Sequence, residues 1–102
     1  MITDPTPVFK ALGDPSRRAI FERLLGGEQN VHALTKVARI SQPAVSKHLA
    51  VLRRAGLARA RHFGRETFYS ADRAGLAPMF DWLRIHREQW IAGLDRLDSL
   101  LD

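Results

Sequence analysis

Apolar residues recur with a helical period in four short segments of the first half of the chain, and the breaks between them carry their own signals. From Pro5 to Leu12, the positions Val8, Phe9 and Leu12 predict a short helix that Gly13 ends. Asp14 then offers a capping carboxylate, and Pro15 suits a first helical position, where the missing N–H leaves nothing unpaired. Ala19, Ile20 and Leu24, flanked by Phe21 and Leu25, continue at helical spacing until Gly26-Gly27. A third helix is predicted from about Ala33 to Ala38, burying Leu34 and Val37; its start is weakly marked, because His32 is an unusual cap. The turn Arg39-Ile40 leads to Ser41, a good N-cap, with Pro43 tolerated in the first turn that follows. Val45, Leu49 and Leu52 then stand at i, i+4 and i+7, a narrow apolar stripe on a fourth helix that runs to about Arg54 before Gly56.

Beyond Gly56 the period changes. Leu57 to Phe63, then Gly64-Arg65, then Glu66-Thr67-Phe68-Tyr69-Ser70 read as a hairpin with a glycine-containing turn. Arg73 to Asp102 reads as one long helix: Leu76, Phe80, Leu83, Trp90, Leu94, Leu97 and Leu101 follow spacings of four and three, interrupted at Arg87. The predicted fold is mainly α with a small β-hairpin. It is a winged helix-turn-helix in one domain over residues 1–102, with the helix-turn-helix at about 33–55, the wing at about 57–70 and a dimerisation helix at about 73–101.

Charge sharpens this picture. The chain has 102 residues and a net charge of +5, yet no acidic residue stands between Glu28 and Glu66. That interval holds Lys36, Arg39, Lys47, Arg53, Arg54, Arg59, Arg61 and Arg65, a local charge of +8, while the remainder sets 8 basic against 11 acidic residues and sums to −3. Such a distribution is the footprint of a polyanion-binding face. At 100° per residue, the side of the fourth helix opposite its apolar stripe carries Pro43, Lys47, Ala50 and Arg54, with Ser46 and Arg53 on one flank and Ala44 and His48 on the other. The small residues allow a close approach to base edges. Gln42 presents the paired donor and acceptor that suit adenine, and Ser46 and His48 suit base edges or phosphate. Lys47, Arg53 and Arg54 suit the backbone, and Arg61, His62 and Arg65 of the wing suit backbone or minor groove. The candidate DNA-binding set is therefore Ser41, Gln42, Pro43, Ala44, Ser46, Lys47, His48, Arg53, Arg54, Arg61, His62 and Arg65.

Composition removes other classes. With no cysteine there is no disulfide framework, thiolate nucleophile or Cys-ligated metal, and no glycine-rich phosphate loop or catalytic triad cue appears, so an enzyme is a poor fit. Met1 to Pro5 carries no signal-peptide pattern, and no apolar run approaches the roughly 20 residues that span a bilayer, so a cytoplasmic protein without membrane contact is expected.

Three motifs together are similar to a known family. Ala11-Leu12-Gly13-Asp14-Pro15-Ser16-Arg17-Arg18, then Ser41-Gln42-Pro43-Ala44-Val45-Ser46-Lys47-His48-Leu49-Ala50-Val51-Leu52-Arg53-Arg54-Ala55-Gly56-Leu57, then Gly64-Arg65 before an aromatic strand, resemble the ArsR/SmtB winged-helix repressors. The resemblance implies a homodimer that binds an imperfect inverted repeat and blocks transcription. Metal-sensing members carry Cys-x-Cys at the start of the third helix, where this chain has Asn30 and His32; the family's second pattern, Asp-x-His with a later His-x-x-Glu, is also missing. The four histidines (His32, His48, His62, His86) are scattered over four elements, so no metal and no cofactor are expected, in keeping with the branch without recognised metal sites.

The apolar stripe of the last helix is too long for the body to cover. A two-fold partner meeting Phe80, Leu83, Trp90, Leu94, Leu97 and Leu101 is the expected answer. A small effector between two such helices is compatible with the pattern, but nothing in the sequence specifies one. Two other readings stay open: a protein-docking module, and a nucleoid protein that binds DNA without sequence preference.

Overall fold

The computed structural model describes residues 4–101. It contains helix α1 (Thr6–Gly13), helix α2 (Pro15–Leu25), a two-residue strand β1 (Gln29–Asn30), helix α3 (Val31–Ala38), helix α4 (Gln42–Arg54), strands β2 (Ala58–Phe63) and β3 (Glu66–Ala71), a 3-10 turn (Arg73–Leu76), and helices α5 (Ala77–Ile85) and α6 (Arg87–Leu101). The expectation of a mainly helical fold with a small hairpin holds; the order of the first four helices and the hairpin is as expected, while strand β1 and the division of the last helix are not.

The corner between α1 and α2 shows what the Asp14-Pro15-Ser16-Arg17-Arg18 run does. The Asp14 carboxylate accepts from the Arg17 N–H at 3.0 Å and caps α2. Arg17 and Arg18 fold back and donate to the orphan carbonyls at the end of α1: Arg17 Nε to Ala11 at 2.7 Å, and Arg18 Nη1 to Leu12 at 2.9 Å. Arg73 repeats the device at the end of α2, donating to the Leu25 carbonyl at 3.2 Å. These arginines are spent on structure, which net charge alone does not reveal.

The core gathers the predicted stripes. Val8 and Ala11 of α1, Ile20, Phe21 and Leu24 of α2, Leu34 of α3, and Val45, Leu49 and Leu52 of α4 are buried together with Leu57 and Ala58. Val37 departs from expectation: it stays exposed, at the rim of a shallow pocket that it lines with Ile20 and Leu34. Helix α3 also begins earlier than predicted. Asn30, not His32, is its cap, accepting from the Ala33 N–H at 2.8 Å.

Helix α4 ends in a Schellman motif. Gly56 takes a φ of 78°, its N–H donates to Arg53, and the Leu57 N–H donates to Leu52 at 2.8 Å. Leu57 is thereby turned inward and the chain enters β2. The hairpin closes with two residues, Gly64 and Arg65, and Phe63 faces Glu66. Gly64 has a φ of 63° while Arg65 does not enter the positive region, which is the requirement of a type II′ turn. Strand β1 was not foreseen; it pairs with β3, giving a three-stranded antiparallel sheet in the order β1-β3-β2.

The single long helix expected from Arg73 onward is corrected. Asp72 caps a 3-10 turn through the Ala74 N–H, Pro78 lies in the first turn of α5, and the helix breaks at His86, with φ −100° and ψ 21°. The Leu83 carbonyl, whose helical partner would be the Arg87 N–H, instead accepts the Trp90 indole N–H at 2.6 Å. A side chain inserted into the backbone ladder is an ordinary cause of such a break. Asp102, the expected end of that helix, lies outside the described residues.

Candidate nucleic-acid interface

The helix-turn-helix consists of α3, the turn Arg39-Ile40-Ser41 and α4. Arg39 closes α3 in the left-handed region, with φ 57°, and its N–H donates to Thr35. An arginine there is strained relative to glycine, and it stands exposed just before the N-terminus of α4. Position alone did not single it out; the signal is its backbone angle. Ser41 then caps α4, its Oγ accepting from the Ala44 N–H at 3.2 Å.

Burial of Val45, Leu49 and Leu52 fixes the rotation of α4 and so decides what faces outward. Gln42, Pro43, Ser46, Lys47, Ala50, Arg53 and Arg54 are exposed, whereas Ala44 and His48 are half-buried. Lys47, Arg53 and Arg65 form no ion pair or side-chain hydrogen bond among the described residues, and Arg54 reaches only the Ala50 carbonyl of its own helix, at 3.4 Å. His48 sits on the flank towards Asp14. The Arg17 backbone N–H holds the Asp14 carboxyl below its ordinary range, and the nearby His48 adds to that effect.

An open groove of about 630 Å³ lies between the C-terminal half of α4 and β2, walled by Ala50 and Ala60 and bordered by Arg53, Arg54 and Arg59. The recognition helix and the wing are therefore neighbours along one basic surface. At the wing, His62 Nδ1 and Thr67 Oγ1 are 3.0 Å apart across the strands, and Arg65 is exposed at the turn. Arg61, a member of the candidate DNA-binding set, is engaged within the protein. Its guanidinium makes a two-pronged contact with Glu28, Nη2 to Oε1 at 2.7 Å and Nε to Oε2 at 3.1 Å. The acid that bounded the basic stretch in sequence thus returns to it in space. Glu28 was not among the sequence-derived candidates, because it lies 33 positions from its partner.

This arrangement accords with relatives of known class. Residues 14–60 match the family model described as a bacterial regulatory protein of the arsR family. The chain is 43% identical over 75 residues to the HTH-type transcriptional regulator Rv2034 of Mycobacterium tuberculosis, covering 74% of this chain and 70% of that one. The chain belongs to the arsR family. The transcriptional repressor SdpR of Bacillus subtilis is 33% identical to this arsR-family protein over 76 residues, covering 74% of this chain and 84% of the other. Among solved structures, the homodimeric winged helix-turn-helix DNA-binding domain Mb0332 of Mycobacterium bovis superposes with a TM-score of 0.66 and 26% identity, covering 82% of this chain and 78% of that one.

Two further surfaces of this arsR-family chain bear on its function. Asn30, at the position where the family's metal sensors carry a cysteine, is occupied as the cap of α3, and its side-chain amide stands 3.5 Å from Glu66. The second surface is apolar. Phe80 is 55% exposed, Trp90 40%, Leu94 51%, Leu97 50% and Leu101 75%, while Leu83 is half-buried. Phe9 of α1 joins this face, meeting Trp82 edge-on with ring centres 5.6 Å apart, and Trp82 in turn lies 4.6 Å from the His86 ring. No residue of α6 is buried. Among the described residues no helix is long and apolar enough to cross a membrane.

Proposed function

We propose that this protein is a homodimeric transcriptional repressor that reads an inverted-repeat operator with α4 and holds it with the wing. The observation that carries this reading is the outward face of α4: basic, free of acid, continuous with the wing through the Arg53, Arg54 and Arg59 groove, and with Lys47, Arg53 and Arg65 uncommitted elsewhere among the described residues. Gln42 and Ser46 read bases. Ser41, Pro43 and Ala44 form the start of α4 that approaches the groove, where the positive end of the helix dipole favours phosphate. Lys47, Arg53, Arg54 and Arg65 bind phosphate, and His62 lies beside them on the wing. His48, half-buried on the flank of α4, lies beside them. Arg39 joins the set as a phosphate contact at the turn.

Dimerisation uses the α5–α6 face, with Phe80, Leu83, Trp90, Leu94, Leu97 and Leu101, now joined by Phe9. The named homodimeric relative supports it, and so does the size of the apolar face, which water would otherwise meet. Two-fold symmetry matches a palindromic site with half-sites about 34–36 Å apart. Leu97→Ala removes half-covered apolar surface twice per dimer and is expected to weaken dimerisation about tenfold or more, read by sedimentation equilibrium. An unchanged dimer constant places the interface elsewhere.

No metal enters the switch in this reading. The chain has no cysteine, and Asn30 is engaged as a cap. The deciding experiment is titration of the dimer onto DNA from upstream of its own gene and onto a scrambled duplex, over a series of salt concentrations. Preference for the cognate duplex is expected to reach about 10³ or more, with affinity falling steeply with salt. Gln42→Ala is expected to lower discrimination at one base position by about 1–3 kcal/mol. Equal affinity for both duplexes would turn the reading towards a nucleoid protein, and binding to neither towards a protein-docking module.

A further inference from the structure

Arg61 and Glu28 sit where the wing joins the body. The sheet runs β1-β3-β2, so Glu28, immediately before β1, stands at one edge and Arg61, in β2, at the other. Alternation along the strands puts Arg59, Arg61 and Phe63 on the same face as Glu66, Phe68 and Ser70. Ala58, on the opposite face, is buried in the core. The Glu28 carboxylate therefore reaches across the central strand over the face that carries Phe68. The Arg61 guanidinium it meets lies 5.2 Å from the centre of the Phe68 ring and 5.7 Å from that of Phe63. Beyond this point His62, Phe63, Gly64, Arg65 and Glu66 are all exposed. A two-stranded ribbon of that kind holds its position poorly by itself in water.

We propose that the Glu28–Arg61 pair is a clamp that fixes the wing relative to the helix-turn-helix, and that Arg61 is a positioning residue and not a phosphate contact. The inference rests on the reading of the wing as part of the DNA-binding surface. Most exposed ion pairs do little, because two long side chains must be ordered for a screened attraction. This one has the features that lift a pair above the rest: parallel N–H···O bonds to one carboxylate, and aromatic rings that confine the guanidinium. Each partner also stabilises the other's charge, holding the Glu28 carboxyl below its ordinary range and pushing the Arg61 guanidinium higher. To bind phosphate with the same two-pronged edge, Arg61 would have to exchange two charge-assisted bonds for two of similar kind and leave the Glu28 carboxylate unpaired. Arg65, at the turn and without an ion-pair partner among the described residues, has nothing to give up. Asn30, 3.5 Å from Glu66, adds a second link from the same segment to the wing. Residues 28–30 thus cap α3, pair with β3 and hold β2 at once, so the wing and the helix-turn-helix share one support.

The test separates position from charge. Amide hydrogen exchange of residues 62–67 is measured in the free protein, and affinity for the upstream duplex across salt, for wild type, Glu28→Gln, Arg61→Gln, Arg65→Gln and the exchanged pair Glu28→Arg with Arg61→Glu. Glu28→Gln and Arg61→Gln are expected to speed wing exchange and to weaken binding about 3- to 5-fold for each well-formed exposed pair, so about 9- to 25-fold for the two pairs of a dimer, without changing the salt slope. Arg65→Gln is expected to lower the slope by about 0.9 per contact, so about 1.8 for a dimer. The exchanged pair is expected to recover both wing protection and affinity to within about twofold of wild type, well inside the loss expected for the single variants. A slope that drops in Arg61→Gln as it does in Arg65→Gln overturns the proposal, as does wing exchange that neither single variant alters or the exchanged pair fails to restore. If wild type shows no preference for the upstream duplex, the DNA reading fails, while the exchange measurements still decide the clamp.

Discussion

Gly75→Ala is expected to lower the melting temperature by about 12–24 °C, measured by circular dichroism. The reason lies in a backbone crossing. A Cβ built on Gly75 would stand 1.9 Å from the Gly56 carbonyl oxygen and 2.5 Å from its carbon, both main-chain atoms in the turn that ends α4. Gly56 cannot retreat easily. Its φ of 78° belongs to the Schellman turn, and the neighbouring Leu57 is fully buried. Adding one methyl group therefore forces the 3-10 turn and α5 away from the end of the recognition helix. Overpacking of this severity costs about 3 kcal/mol, and a domain of this size loses about 4–8 °C per kcal/mol. Gly93 in α6 provides the control, because a methyl group added there would meet nothing within 4 Å. There alanine is the better helix former, and the melting temperature is expected to rise slightly. A loss of less than about 4 °C in Gly75→Ala, which is under 1 kcal/mol, would mean that the 3-10 turn moves freely.

Replacing Lys47, Arg53 and Arg65 together by glutamine is expected to weaken binding to the upstream duplex at least about 10³-fold in 0.1 M salt, with the difference shrinking as salt approaches 1 M. These three are exposed, carry no intramolecular ion pair among the described residues, and lie on α4 and at the wing turn. Three contacts in each protomer make six in a dimer. At about 0.9 for each, the slope of log affinity against log salt falls by about 5. The core lies on the other side of α4, so the melting temperature is expected to stay near that of wild type, which distinguishes lost contacts from lost fold. Unchanged binding in the triple variant would remove α4 and the wing from the DNA surface and favour a protein partner.

The same arginine-rich composition thus divides into two populations, and the division is a matter of geometry. Arg17, Arg18 and Arg73 close helix ends, Arg61 holds the wing, and Arg84 pairs with Asp81. Lys47, Arg53 and Arg65 remain available for DNA. Arg54 and Arg59 stand between, since Arg54 bonds only its own helix and Arg59 approaches Asp72 at 3.9 Å. A formal charge of +5 summarises neither group, whereas the acid-free face of α4 is the part of the surface suited to a polyanion.

What the sequence determined by itself lies wherever the physics is local. Ser41 caps α4, Gly56 ends it, Gly64 makes the hairpin turn, and the Val45, Leu49 and Leu52 stripe sets the rotation that exposes Gln42, Ser46 and Lys47. Each of these depends on a few neighbouring residues, on a φ that only some side chains adopt, or on a period of 3.6. Tertiary structure decided the rest. Strand β1 is two residues long and has no period to read; it exists because β3 lies alongside. Helix α6 separates from α5 because the Trp90 indole, seven positions away, claims the Leu83 carbonyl, a competition that an apolar stripe does not express. Arg61 meets Glu28 because the sheet brings together residues 33 positions apart. Local signals therefore located the helix-turn-helix, while the pairing of distant side chains decided which arginines are engaged within the protein.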